Sequence, residues 1–256
     1  MTAKRRLLDA TNVALRRAGV RLERVPASVR DAEPTATQHR DWAEQRATEQ
    51  LITGRHNTQT VADVRRLSEK YTKPILGEVE TWDLLMMLGT CVDPTDGALG
   101  AASQLVHVLQ VLEMMIAEGV TDEDLLLAAL VHDLGKVLLL TDEDPANVVC
   151  MNRFIAGEEG GGLGQGITQW NHDEFAYMRL VDVVPRDVAL LIRYHSVMPH
   201  DLDPYLATSE REFADRYHGP FFRYDQESKS AMRRPSVRIE DFRGLVGRRL
   251  PSRLEI

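Results

Sequence analysis

Residues 125–140 read LLLAALVHDLGKVLLL, a run in which apolar side chains stand at almost every position. A run of this length that is apolar on all sides predicts a helix buried in the core of a protein. The residues just before it, 121–124, read TDED, a capping pattern that predicts where this helix starts. Three polar residues, His132, Asp133 and Lys136, stand inside the run and need partners there.

The carboxylate of Asp133 indicates a bound cation. An ionised carboxylate without a partner in such apolar surroundings costs several kcal/mol or becomes protonated. Neighbours on a helix lie about 100° apart, so His132 and Asp133 turn toward one space only if a metal or a tight polar network lies between them. A cation removes the cost of burying the carboxylate.

Histidines stand in similar surroundings in three other segments. They are His107 in QLVHVLQ, His172 in WNHDEF and His195 in IRYHSV. A single histidine on an apolar face is usually a hydrogen-bonded core residue. Four of them on successive predicted helices or helix starts, together with Asp133 and with Asp225 in FFRYDQESK, favour a metal site instead.

The number of these residues fits two metal ions better than one. Four imidazoles and two carboxylates are more ligands than one tetrahedral or octahedral ion usually takes, whereas two ions bridged by Asp133 would use them all. Imidazole and carboxylate without thiolate suit iron, manganese, zinc or nickel, because magnesium and calcium prefer shells made only of oxygen.

The rest of the chain predicts an all-α fold. Helical spacing of apolar residues recurs from Thr60 onward, few segments alternate with period two, and hairpin turn signals between β-rich runs are absent. The glycine-rich segment 157–166 predicts a mobile loop or a lid. Further helices are predicted over 5–24, 103–118, 187–195, 209–218 and 239–250.

Length, composition and charge narrow the class of protein. The chain has 256 residues, a formal net charge of −8 and only 2 cysteines, Cys91 and Cys150, both predicted to be buried thiols. The negative charge argues against nucleic acid as the main partner. No apolar run reaches the ~18–20 residues of a membrane span. These features predict a cytoplasmic protein with no membrane partner.

The ordered set of His, His-Asp, His, His and Asp resembles the HD-domain dinuclear metalloenzymes, and the local sequence resembles their inositol oxygenase branch. The segments that carry the resemblance are VHDLGKVL (131–138), WNHDEFAYM (170–178), VPRDVALLIRYHS (184–196) and FFRYDQESK (221–229). A His-Asp pair alone is weak evidence, but the complete order with RYHS and Lys229 is specific. The resemblance spans roughly residues 59–251.

This resemblance implies a helical HD core of about five helices with extra N- and C-terminal helices. Residues 1–40 would form an N-terminal helix and linker arm, and residues 41–256 the catalytic domain. The implied cofactor is a mixed-valent Fe(II)/Fe(III) pair, with O2 as co-substrate and oxidative cleavage of a C–C bond as the reaction. One iron would be bound by His107, His132, Asp133 and Asp225, and the second by Asp133, His172 and His195.

The resemblance also implies the residues of a substrate pocket. Asp133 and Lys136 would be catalytic, and the substrate would contact Lys136, Ser196, Lys229, Asp93 and Asn152. Two further acidic residues, Asp173 and Glu174, would orient the metal-binding imidazoles. The family's Gly-Asp pair, which grips inositol, is replaced by Cys150-Met151. The substrate therefore stays open between inositol and another hydroxylated or amino-hydroxy compound.

Two other functions remain possible from the sequence. A dinuclear HD-domain phosphohydrolase would use the same metals to activate water against a phosphate ester, with Lys136 gripping the phosphate. A metal-binding module without catalysis would use none of the pocket residues. For the oxygenase, the expected partners are a small polar substrate and O2, in a monomer or a small homo-oligomer.

Overall fold

The structure, a computed structural model, describes residues 36–256, with side chains from residue 43 onward except residue 45. Most of the predicted N-terminal helix and arm, residues 1–40, therefore lies outside the described residues. The predicted domain boundary between residues 40 and 41 falls within the first described helix, α1, which runs from Ala36 to His56.

Helices form most of the described chain, which confirms the predicted all-α fold. The α-helices after α1 are α2 (Val61–Lys70), α3 (Thr81–Met87), α4 (Gln104–Ala117), α5 (Glu123–Val131), α6 (His172–Leu180), α7 (Arg186–Tyr194), α8 (Pro199–Leu202), α9 (Arg211–Phe213), α10 (Gly219–Ser228) and α11 (Arg243–Arg249). Short 3₁₀ helices cover Leu134–Leu140, Pro145–Asn147, Leu163–Gln165, Asp203–Tyr205, Thr208–Glu210 and Ile239–Phe242, and a π-helix covers Ala214–His218.

The strands of the described chain are short and form two antiparallel pairs. β1 (Glu78–Glu80) pairs with β4 (Arg253–Glu255). β2 (Phe154–Ala156) pairs with β3 (Ile167–Thr168). The first pair fastens the last residues of the chain beside α3, and the second encloses the glycine-rich segment.

The glycine-rich segment 157–166 is the connection between β2 and β3. The amide of Gly162 donates to the carbonyl of Tyr205 at 2.9 Å, and the amide of Leu163 donates to the carboxylate of Glu210 at 2.9 Å. None of its residues lines the cavity above the metal-ligand candidates. The segment therefore does not act as a wall of this cavity, and the expectation of a mobile loop or a lid stays a prediction.

The predicted helix over residues 125–140 is also wrong in one respect, because it is interrupted in the middle. The α-helix ends at Val131, and a 3₁₀ helix begins at Leu134 after His132 and Asp133. The cause is a close contact with another segment: a Cβ on Gly135 would lie 2.0 Å from the carbonyl oxygen of His172. The tighter winding places His132 and Asp133 at a turn, where both side chains can face one space.

The core surrounds α5. Every residue of this helix from Leu125 to Val131 is buried, and it packs between α4 and α7, while α6 packs on α7 and α10 on α4. The six predicted metal ligands lie on these five helices or directly after them: His107 on α4, His132 and Asp133 after α5, His172 at the start of α6, His195 after α7, and Asp225 on α10.

The remaining predicted helices are found with small differences in winding. Residues 103–118 and 187–195 correspond to α4 and α7, whereas 209–218 and 239–250 combine 3₁₀, α- and π-helical turns. Both cysteines are free thiols; Cys91 is buried and Cys150 is partly buried. Among the described helices, none combines the length and the apolar character needed to cross a bilayer.

Candidate metal centre and substrate cavity

One cluster of buried side chains joins α4, α10 and the turn after α5. The Nε2 atom of His107 lies 2.7 Å from Oδ1 of Asp225 and 3.3 Å from Nε2 of His132. Oδ2 of Asp133 lies 3.4 Å from Nε2 of His132 and 3.6 Å from Nε2 of His107. The structure thus brings together the four residues predicted to bind the first metal.

A second cluster uses the other oxygen of Asp133. Oδ1 of Asp133 lies 3.0 Å from Nε2 of His172 and 3.7 Å from Nε2 of His195. The two histidine Nε2 atoms are 3.3 Å apart. Asp133 therefore stands between the two clusters with one carboxylate oxygen toward each, which is the arrangement of a bridging ligand.

Backbone carbonyl groups fix the orientation of three of the four imidazoles. Nδ1 of His132 donates to the carbonyl of Ala129 at 3.0 Å, and Nδ1 of His195 donates to the carbonyl of Ile192 at 3.0 Å. Nδ1 of His172 likewise donates to the carbonyl of Val148 at 2.7 Å. Because Nδ1 carries the donated proton, the lone pair of Nε2 faces the centre of each cluster, as metal-binding histidines require.

The donor set fits a pair of metal ions. The candidate ligand atoms of His107, His132 and Asp133 lie within 4.8 Å of one another, and so do those of Asp133, His172 and His195. Oδ2 of Asp133 is buried and has no hydrogen-bond partner. A cation would satisfy this oxygen and would also remove the repulsion between imidazole lone pairs that face each other.

Charges within the first cluster keep its carboxylates ionised. Burial raises the pKa of Asp133, but Lys136 and His132 outweigh it and hold that pKa well below its usual range. Burial opposes ionisation of Asp225 too, and there Lys229 and His107 have the same effect on the pKa. The cluster therefore carries the negative field that attracts a metal cation.

A cavity of about 580 Å³ opens above the two clusters, within the range of small-molecule sites. Asp133, His172, His195 and Asp225 form its floor. Its walls include residues that the sequence analysis missed, three of which lie on α1: Arg46, Glu49 and Thr53. Their spacing of three and four residues is that of one helical face, but only the fold shows that this face meets the cavity.

Comparisons with known proteins agree with this geometry. The family model described as "Myo-inositol oxygenase" matches residues 45–159. "Inositol oxygenase 1" of Arabidopsis thaliana is 29% identical over 82% of this chain and 80% of its own length. "Probable inositol oxygenase" of Oryza sativa subsp. japonica is 28% identical over 78% of this chain and 77% of its own. The chain is thus similar, over about four fifths of its length, to proteins named inositol oxygenase.

Lys136 stands beside Asp133, the carboxylate shared by the two clusters. Its ammonium contacts Oδ2 of Asp93 at 3.0 Å and Oδ1 of Asp133 at 3.2 Å, and it donates to Oε1 of Gln104 at 3.0 Å. Burial lowers the pKa of Lys136, but Asp133 and Asp93 outweigh it and raise that pKa. Lys136 and Asp93, both predicted pocket residues, thus line the cavity as a charged pair.

Lys229 and Ser196 line the other walls. The ammonium of Lys229 lies 3.0 Å from Oδ2 of Asp96 and 3.9 Å from Oδ1 of Asp225. The hydroxyl of Ser196 donates to Oδ2 of Asp173. Because this bond uses the only hydroxyl proton of Ser196, its oxygen can accept a hydrogen bond from a substrate but not donate a second one.

Asn152 does not line the cavity, in contrast to its predicted contact with substrate. It is buried, and its amide nitrogen donates to Oδ1 of Asn171 at 3.1 Å. Asn171 in turn donates to the hydroxyl of Ser196 at 3.3 Å. Asn152 therefore lies behind the cavity wall. There it hydrogen-bonds to Asn171, which in turn hydrogen-bonds to Ser196. The positions that face the cavity here are Cys150 and Met151.

The two acidic residues expected to orient imidazoles have different surroundings. Asp173 is buried, and its Oδ1 atom lies 3.0 Å from Nε2 of His172. Glu174 instead pairs with Arg193, with N–O distances of 2.7 and 2.9 Å, so its predicted contact with an imidazole is wrong. This ion pair joins α6 to α7, which present His172 and His195, and so fixes the distance between those two helices.

Proposed function

We propose that this chain is an oxygenase that acts on inositol or a closely related polyol, with two iron ions and O2 as co-substrate. The observation that carries the proposal is the position of Asp133, with one oxygen toward each histidine cluster at the floor of the cavity. The similarity to proteins named inositol oxygenase supplies the reaction class and the substrate class.

The metal ligands follow from the two clusters. His107, His132, Asp133 and Asp225 would bind one iron, and Asp133, His172 and His195 the other. Neutral imidazole and carboxylate are ligands that suit iron. When bound, a mixed-valent Fe(II)/Fe(III) pair would supply the redox chemistry that reduces O2 and cleaves a C–C bond of the substrate.

Lys136 is proposed to stabilise negative charge on a substrate oxygen. Its ammonium lies at the cavity wall between Asp93 and Asp133. A substrate oxygen placed there would lie beside a positive charge whose three N–H donors are shared with Asp93, Asp133 and Gln104. Asp93 keeps this ammonium in position, and the raised pKa of Lys136 keeps it charged at neutral pH.

Ser196 and Lys229 are proposed to orient the substrate over the same floor. Ser196 presents a hydroxyl oxygen that accepts, because Asp173 takes its proton. Lys229 presents a cation next to Asp225. A polyol, in which every hydroxyl both donates and accepts, can satisfy the two groups at the same time.

The alternative of a phosphohydrolase has no specific support in this cavity. Among the described lining residues, five carboxylates face three cations, and both lysines are already paired with carboxylates. The similarity to proteins named inositol oxygenase favours the oxygenase over the hydrolase. The cytoplasmic location, the lack of nucleic-acid and membrane partners, and the monomer or small homo-oligomer remain predictions.

The direct test is consumption of O2 by the iron-loaded protein on addition of myo-inositol. In the proposed reaction O2 accepts four electrons and cleaves the bond between two CHOH carbons, which become one aldehyde and one carboxylic acid, with one oxygen atom of O2 released as water. We expect uptake of one O2 per ring opened and a product that carries one ¹⁸O atom from ¹⁸O2. Phosphate release from a phosphate ester with manganese or zinc, without O2 uptake, would support the hydrolase instead.

A further inference from the structure

One wall of the cavity is formed by a single face of α1. Arg46, Glu49 and Thr53 recur at intervals of three and four residues, and all three line the cavity. This wall is separate from the metal clusters, whose ligands lie on α4, α6 and α10 and on the turns after α5 and α7. A substrate in the cavity would therefore have this face of α1 as a neighbour besides the metal clusters.

Glu49 differs from the other carboxylates around the cavity. Asp93 and Asp96 are paired with Lys136 and Lys229, each at 3.0 Å, and the two remaining carboxylates belong to the metal clusters. For Glu49 the described side chains supply neither an ion pair nor a hydrogen bond. Its carboxylate is thus an acceptor with free capacity among the described residues that line the cavity.

The position of the carboxylate is set by the loop after α3. A Cβ on Gly97 would lie 3.7 Å from Oε2 of Glu49, in ordinary van der Waals contact. The carboxylate of Glu49 therefore lies against the stretch Asp93–Ala98 that forms the adjoining wall. Glu49 is half-buried there.

The charged neighbours of Glu49 are Arg46 on its own helix and Asp93 and Asp96 of the adjoining wall; burial and the two aspartates raise the pKa of Glu49, and Arg46 lowers it. The other neighbours are uncharged. Thr53 contacts Cys150, with Oγ1 and Sγ 3.7 Å apart, and burial raises the pKa of the Cys150 thiol to about 11, so that it stays neutral. Met151 contributes a thioether, which is a weak acceptor. Glu49 is the strong hydrogen-bond acceptor of this part of the wall.

We propose that Glu49 is a substrate-binding residue whose carboxylate accepts hydrogen bonds from hydroxyl groups of the polyol that do not contact the metal clusters. This inference rests on the proposed function. A polyol held in the cavity has such hydroxyl groups, and they need acceptors because an unpaired buried hydroxyl loses free energy. A carboxylate has two oxygens and can accept from two adjacent hydroxyl groups, which selects a ring that carries them.

The inference is tested by the affinity of the iron-loaded protein for myo-inositol without O2, measured by titration calorimetry. We expect Glu49→Gln to raise the Kd about tenfold and Glu49→Ala to raise it further, because a hydrogen bond to a charged acceptor is lost. The kcat should remain close to that of the unchanged protein, since substrate binding is weakened equally in the ground and transition states. The iron content should also remain close, because Glu49 is not a candidate metal ligand. The matched control is Glu44→Gln, an exposed glutamate of the same helix that does not line the cavity.

Inositols that lack one hydroxyl group sharpen this test. For an analogue that lacks one of the hydroxyl groups bound by Glu49, the ratio of the Kd of Glu49→Gln to that of the unchanged protein should be smaller than for myo-inositol. Equal Kd values for myo-inositol itself, or an equal loss in Glu44→Gln, would overturn the inference and leave the proposed function standing. Failure of the unchanged protein to bind myo-inositol would overturn the proposed function, and the inference with it.

Discussion

Gly135 lies so close to the first residue of α6 that a Cβ added to it would stand 2.0 Å from the carbonyl oxygen of His172. This contact joins the turn that carries His132 and Asp133 to the helix that carries the next histidine. It is the packing reason that one oxygen of Asp133 comes within 3.0 Å of the His172 imidazole. The absence of a side chain at residue 135 is thus a condition for assembly of the two clusters.

Replacing this glycine should damage both the fold and the metal centre. In Gly135→Ala the new methyl group meets backbone rather than a flexible side chain, so the turn must move, at an expected cost of about 3 kcal/mol in the free energy of unfolding. Urea unfolding and iron content measure the two effects. Gly164→Ala is the control, because a Cβ there has no neighbour within 4 Å; equal behaviour of the two variants would show that the contact is unimportant.

Removal of the bridging carboxylate should remove both metals. Asp133→Ala removes one candidate ligand oxygen from each cluster. The remaining candidate ligands then lack the carboxylate around which both clusters are arranged. Elemental analysis of the purified variant should find little iron, whereas the exposed Asp182→Ala should retain the content of the unchanged protein. Retention of the full iron content by Asp133→Ala would contradict the bridging assignment.

Lys136 should matter for substrate more than for metal. Lys136→Met removes the cation that pairs with Asp93 and leaves a buried carboxylate uncompensated, which costs about 3–5 kcal/mol in stability. The double variant Lys136→Met with Asp93→Asn should regain much of that stability without regaining turnover. Wild-type kinetics in the double variant would exclude Lys136 from the site.

A buried histidine outside the metal clusters should make stability depend on pH. Burial lowers the pKa of His56 by more than the carbonyl of Ala146 and the charge of Asp173 raise it. The unfolded chain therefore binds a proton at about pH 6.5 that the folded chain does not, so stability present above that pH is lost as the pH falls below it. The slope is at most about 1.4 kcal/mol per pH unit for one proton.

Urea unfolding of the metal-free protein between pH 7.5 and 5.5, the interval around about pH 6.5 where histidine titrates, measures this slope. His56→Gln should flatten it. The exposed His200→Gln is the control and should leave the slope unchanged. An unchanged slope in His56→Gln would contradict the assignment of the proton to His56.

The sequence predicted the metal-ligand candidates because each is a polar residue inside an apolar helix or at its end. His107, His132 and His195 lie in apolar segments and not on the polar face of an amphipathic helix. Their clustering in the core could therefore be predicted from the sequence. The all-α fold could be predicted for a related reason, since apolar residues recur with helical spacing from Thr60 to the end.

The features that could not be predicted depend on contacts between distant segments. The break after Val131 results from the approach of Gly135 to α6, and no local signal in the run 125–140 marks it. Asn152 is adjacent in sequence to cavity residues but turns toward Asn171 behind the wall. Glu49 stands on a polar helix whose contact with the cavity only the packed fold reveals.

A coupled pair of irons that binds a polyol can be detected directly by electron paramagnetic resonance on the iron-loaded, partly oxidised protein at liquid-helium temperature. We expect the signal of a coupled Fe(II)/Fe(III) pair, which shifts when myo-inositol is added and disappears in Asp133→Ala. If the protein carries its full iron but shows only isolated ferric ions, with no change on addition of myo-inositol, the two clusters do not form a coupled iron pair that binds a polyol.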